Sequence, residues 1–261
     1  MNAKDQMCLH TGGVAATIEQ LSNVKIPEST KTYQPVSHLE LINVVKQQAE
    51  RNLPGYDFYD EAWGVSPKSG ETFGQKLFGV ISYKHKDFDE MALSIGVRNS
   101  YDQSLAAGVC IGNKVFVCDN LCFSGDIRVS RKHTGDAMND IQNLVKNAML
   151  IAPAKHRSIT EDAELMKEYT ISDEQAYAIL GVAYGKEILK PRQLLRSKEA
   201  WQTPPQEDFE ERNLWSLYNA MTEALKTSTA REVLEMHTAA HNMVMNDGID
   251  VAEGFTPRLV A

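Results

Sequence analysis

The stretch Ser94–Asp126, "SIGVRNSYDQSLAAGVCIGNKVFVCDNLCFSGD", decides the fold, because short β-branched and aromatic runs alternate in it with Gly, Asn and Asp. That alternation is the signature of strands joined by tight turns. Gly112-Asn113 within "IGNKVFV" suits a two-residue hairpin. "KLFGVISYKH" and "EMALSIGVRNS" lie upstream in the same style, and "CFSGDIRVSRK" continues it downstream, so the segment from about Tyr56 to Thr134 predicts an antiparallel meander. The polar residues packed into it, Arg98-Asn99-Ser100-Tyr101-Asp102, then Asp119-Asn120 and Ser124-Gly125-Asp126, need partners of their own. We read them as a network that fixes the hairpins and one exposed face. In it Arg98 pairs with Asp102 or Asp119, and Asn99 and Asn120 satisfy turn backbone.

Outward from the meander the period changes to helical. Ser37 is an N-cap with Glu40 three residues on, and Leu39, Ile42, Val45 and Ala49 follow at helical spacing until Pro54-Gly55. After Gly135, Met138, Ile141, Leu144, Val145 and Ala148 form one stripe that predicts a helix stopping at Pro153. Four further helical segments follow, capped by Ser172, opened by Pro191, carried by "DFEERNLWSLYNAMTEALK", and ended by Asp247-Gly248. Strands first and helices later mean α+β, an antiparallel β-meander packed by a long helix with a C-terminal helical region. The expected organisation is an N-terminal arm or poorly packed lead-in over 1–36, an α+β core over 37–158 and a helical region over 159–261.

The chain has 261 residues, 43% of them hydrophobic and 24% charged. That is ordinary globular composition. A bilayer crossing takes roughly 20 apolar residues in a row. No apolar run here is that long, and "MNAKDQMCLHTGG" has no secretory pattern, so a cytoplasmic protein without a membrane partner is expected. Cys8, Cys110, Cys118 and Cys122 are expected as free thiols.

A net charge of −8 argues against a surface that coats nucleic acid throughout, but the charge is uneven. Residues 126–198 carry 12 Lys/Arg against 10 Asp/Glu, whereas 199–261 carry 4 against 11. The basic clusters are Arg128, Arg131, Lys132 and His133; Lys155, His156 and Arg157; and Lys190, Arg192, Arg196 and Lys198. Each could meet phosphates if the fold assembles it.

Enzymatic signatures are weak. Neither a phosphate loop nor a dinucleotide glycine fingerprint is present. Asp102, Asp119 and Asp126 could hold Mg²⁺ for a nuclease, but Asp at strand ends is also the commonest turn former. Cys118-x-x-x-Cys122 with Cys110 is only part of a zinc set, and His237 and His241 in "HTAAH" lack the metalloprotease Glu. The reading is therefore a protein without cofactor or metal, leaning to no enzyme.

"LSIGVRNSYDQSLAAGVCIGNKVFVCDNLCFSGD" together with "ERNLWSLYNAMTEALK" resembles the phage/plasmid-like proteins of domain-of-unknown-function family 932, over about Tyr56 to Lys226. One departure is that members commonly carry His where this chain has Tyr101, which puts any mechanism needing an imidazole there in doubt. The resemblance implies a habitat on mobile elements, near genes of DNA maintenance and defence evasion, and implies no activity. A fold-level analogy adds the Rad-type single-strand annealing proteins, which lay a long helix across a β-sheet and oligomerise. On it, single-stranded DNA would bind Arg128, Arg131 and Lys132 just before one predicted helix and Lys155 and Arg157 just after it, with Phe116 or Phe123 as base platforms and the chain as a homo-oligomer. The rival expectation is an interaction protein that inhibits a host defence factor through the acidic 199–261 region.

Overall fold

The computed structural model describes residues 14–66, 73–88, 90–115, 121–122, 128–228 and 232–254. The chain divides into two compact units, 1–114 with 125–156, and 115–124 with 157–261.

In the first unit the strands are β1 (Val14–Ala15), β2 (Tyr56–Ser66), β3 (Lys76–His85), β4 (Met91–Ser100), β5 (Ala107–Val115) and, after the two-residue β6 (Leu121–Cys122) of the second unit, β7 (Arg128–Arg131). Their order is β1-β2-β3-β4-β5 with β7 on β5, and β1 with β2, β2 with β3, β3 with β4 and β5 with β7 pair antiparallel, as the meander reading expected. Alternation does the sorting. Trp63, Val65, Leu77, Ile81, Tyr83, Leu93, Ile95, Val97, Val109 and Ile111 belong to one buried core. Two helices pack into it. Helix α2 (His38–Asn52) follows the short α1 (Ile18–Ser22) and contributes Leu41, Ile42, Val45 and Ala49. Helix α3 (Ala137–Glu168) contributes Ile141, Val145, Ala148, Met149 and Ala152. Ser37 caps α2 as expected, its Oγ accepting from the Glu40 N–H.

Several expectations are corrected. Residues 14–36 are no loose lead-in, because Ala16, Leu21 and Val36 are buried in the core and Thr17 closes a capping box on α1. Gly112-Asn113 is no hairpin turn: β5 runs through it, and the buried Asn113 amide donates to the His156 carbonyl at 3.2 Å. Pro153 does not end its helix. A helical proline forfeits a hydrogen bond and costs about 3 kcal/mol, but Ile159, Ala163 and Met166 continue the buried stripe beyond it and offset that loss.

Gly79 shows why the sheet needs a missing side chain. It lies opposite Trp63, and a Cβ there would sit 2.0 Å from the indole Cε3. Gly79→Ala must push a buried Trp off its seat, and we expect a loss of about 2 kcal/mol by urea denaturation.

The second unit is helical, as expected: α4 (Asp173–Gly185), α5 (Pro191–Gln202), α6 (Leu214–Leu225), α7 (Val233–Met243) and α8 (Ile249–Ala252). Helix α6 is buried nearly all round, through Leu214, Trp215, Leu217, Tyr218, Met221 and Leu225, so it is the unit's central helix. Asp247-Gly248 does not end the last helix, because a π-helical turn over Val244–Gly248 joins α7 to α8.

Candidate functional site

The polar motif of β4 is a structural knot. Asn99 is fully buried and spends both amide hydrogens, one on the Val36 carbonyl at 2.7 Å and one on His38 Nδ1 at 2.9 Å. His38 Nε2 faces the Gly74 carbonyl at 2.9 Å and so must be the protonated nitrogen. The imidazole is a neutral Nε2–H tautomer, and burial lowers its pKa to about 4. The Tyr101 ring stacks on it at 3.9 Å, and the Tyr101 hydroxyl accepts the His38 backbone N–H at 3.0 Å. Tyr33 donates to the Tyr101 carbonyl, and His133 Nδ1 accepts the Val36 N–H. This stitches the entry of α2 to the end of the sheet.

Asp102 does not pair with Arg98. Its ion partner is Lys76 at 3.3 Å, and it also accepts from the Ser104 backbone and hydroxyl. Partial burial would raise its pKa, but the Ser104 hydrogen bonds and Lys76 outweigh this and hold it below the usual carboxylate value. Arg98 is half-buried opposite Phe78. Asp119, Asn120 and Asp126 lie outside the described residues, as do Phe116, Phe123 and Cys118, and with them the three-carboxylate arrangement.

Of the five cations named for DNA, four have described side chains. Arg131 Nε is bound to Asp140 at 2.7 Å, and Lys132 is exposed. Lys155 is half-buried while Arg157 is exposed. The side chain of Arg128 lies outside the description, although its backbone is in β7.

The basic cluster Lys190–Lys198 runs from the N-cap of α5 along that helix. Helices α4 and α5 are tied together at two points: the Trp201 indole donates to Asp173 at 2.9 Å, and the Gln202 amide donates to the Tyr177 hydroxyl at 2.9 Å. Tyr177 and Tyr184 stand 37% and 48% exposed. Being seven positions apart, they share one face of α4. Between them, no described atom beyond Gly181's own helical turn lies within 4 Å of where its Cβ would be. Lys198 holds its ammonium 5.7 Å from the Tyr177 ring centroid, and Arg192 and Arg196 are exposed along α5. Lys186 and Lys190 are engaged, by Asp247 and Glu232. Sequence reading found the basic cluster and missed the tyrosines. Their i, i+7 spacing was the available signal.

His237 and His241 are both buried, not a surface pair, and His241 Nε2 bonds Asp162 at 2.9 Å. Among the described residues no group of three His, Cys, Asp or Glu is placed to hold a metal ion. No helix among them is long and apolar enough to cross a membrane.

The chain belongs to the family described as domain of unknown function (DUF932), whose model matches residues 28–246. No curated protein and no solved structure matches it.

Proposed function

We propose that the chain is a non-enzymatic single-stranded nucleic-acid-binding protein of a mobile element, serving DNA metabolism such as annealing, and that the α4–α5 face carries the contact. The supporting observation is two partly exposed tyrosine rings on α4, one of them 5.7 Å from the Lys198 ammonium, with Arg192 and Arg196 exposed on the neighbouring helix. Unpaired bases stack on such rings regardless of sequence, while the cations meet phosphates. Gly181 fits this reading. A mid-helix glycine costs about 0.5–1 kcal/mol against alanine, and no described residue packs into the space it leaves.

Fluorescence anisotropy with a labelled oligo-dT tests it. Tyr177→Ala and Tyr184→Ala should each weaken binding about tenfold, in line with ~1–3 kcal/mol per stacked base. Replacing Arg192 and Lys198 with Glu should flatten the log-affinity against log-salt slope by about 0.7 per lost phosphate contact. Gly181→Ala should raise the melting temperature and still weaken binding. Arg131→Glu with Lys132→Glu should change little. If only that last pair matters, the contact lies elsewhere.

A second reading is favoured by one turn. Glu207, Asp208, Glu210 and Glu211 are all exposed around the buried anchor Phe209, an acidic knob that could mimic DNA toward a host defence protein. Absence of any oligo-dT binding at low salt transfers the assignment to that partner.

A further inference from the structure

We propose that the bulged segment of β2 at Phe58 and Tyr59 is a docking surface for an arginine- or lysine-bearing segment of a partner protein. The ladder between β2 and β3 shifts register between Phe58 and Asp60. A bulge re-aims side chains. Here two consecutive aromatic residues are left 56% and 42% exposed. Phe58 meets the Tyr83 ring edge-on at 6.2 Å, yet both rings keep much of their surface toward solvent, where charged residues would blunt an edge equally well.

Both rings already receive cations. The Lys46 ammonium lies 5.9 Å from the Phe58 centroid, and that of Lys84 lies 3.7 Å from the Tyr59 centroid. The negative face of an aromatic ring attracts ammonium and guanidinium alike. The surrounding field has the same preference. Asp57 is exposed, Asp60 and Glu61 follow on the strand, and Lys46 is held by Glu61 at 2.6 Å. Next to this strand Tyr83 has its hydroxyl pKa pushed up to about 12, by burial first and then by Glu50 and Glu61. Asp57, Asp60 and Glu61 outnumber Lys46 and Lys84 around the rings, so the surface favours a cation over a phosphate and differs in chemistry from the α4–α5 face. A guanidinium stacked on Phe58 or Tyr59 and bridged to Asp57 would find both of its needs met.

The test uses the full chain and a fluorescein-labelled octapeptide of alternating Arg and Ser, with a Gln-Ser octapeptide as the neutral probe. The Arg-Ser peptide should bind at low salt and the neutral one should not. The double variant Phe58→Ala/Tyr59→Ala, and separately Asp57→Asn, should each weaken it about tenfold, the scale of a desolvated cation–π contact. Melting temperatures of both variants should stay near wild type, because the substituted side chains are exposed. The proposal is overturned if the peptide fails to bind. It is equally overturned if peptide affinity is unchanged in the aromatic variant, which would assign binding to net charge alone. Loss of oligo-dT binding in that variant, with peptide binding intact, would assign the surface to nucleic acid and also overturn it.

Discussion

Lowering the pH from 7.5 to 5 is expected to cost about 2 kcal/mol for each of two histidines, His38 and His156, by one-proton linkage. In both, the pKa falls from the ordinary 6.5 to about 4 on folding. Burial is the leading cause at both. Each is fully buried, and each already has its ring engaged as a neutral group. His38 lies between Asn99 and the Gly74 carbonyl, and His156 Nδ1 meets the Tyr56 hydroxyl at 3.0 Å beside the Phe88 ring. The folded pKa is depressed, so the unfolded chain binds protons first. Stability is therefore full above about pH 6.5, and it falls as pH drops from there toward 4. His133, also lowered by burial, acts in the same direction. Two losses of that size are a large part of the roughly 5–15 kcal/mol that holds a typical domain together. Urea midpoints measured from pH 7.5 to 5 should show it. His38→Gln has nothing to titrate, so its slope should fall by about 1.4 kcal/mol per pH unit whatever its stability at neutral pH. An unchanged slope would remove His38 from the account.

Strand alternation and helix periodicity made the architecture legible, because both follow from which face of an element is buried. The errors came where tertiary contacts overrode a local signal. Gly112-Asn113 has hairpin chemistry, yet the Asn113 amide is consumed by the backbone of α3. Pro153 has breaker chemistry, yet apolar positions on both sides are worth more buried. Within the described part of the polar motif, the partners of Asn99 are Val36 and His38, far back along the chain. Sequence spacing carries no information about such distances, and of the two acids expected for Arg98, Asp102 is engaged by Lys76 while Asp119 lies outside the described residues. The α4–α5 face was half legible. Its cations stood out as a cluster, whereas tyrosines in an alanine-rich helix look like core until their exposure is known.

Asn99→Ala should be the most damaging single substitution of the motif, at about 4 kcal/mol, since it leaves two buried groups unsatisfied at ~1–3 kcal/mol each and removes packed atoms besides. The Val36 carbonyl and His38 Nδ1 both lose their donor. Tyr101→Phe removes one acceptor, that of the His38 N–H, and keeps the stacked ring. A loss of about 1 kcal/mol is expected there. Asn99→Asp separates the two bonds. A carboxylate offers the Val36 carbonyl no hydrogen and repels it, so stability at neutral pH should fall. Toward His38 it is an acceptor beside a ring nitrogen, which favours an Nδ1–H and hence the imidazolium. The folded pKa of His38 should rise, and with it the acid sensitivity contributed by that residue should shrink. Asn99→Asp should thus be weaker than wild type at pH 7.5 and lose less on going to pH 5. A loss below about 1 kcal/mol in Asn99→Ala, or an undiminished pH slope in Asn99→Asp, would show that the Asn99–His38 contact does not hold the entry of α2 to the sheet.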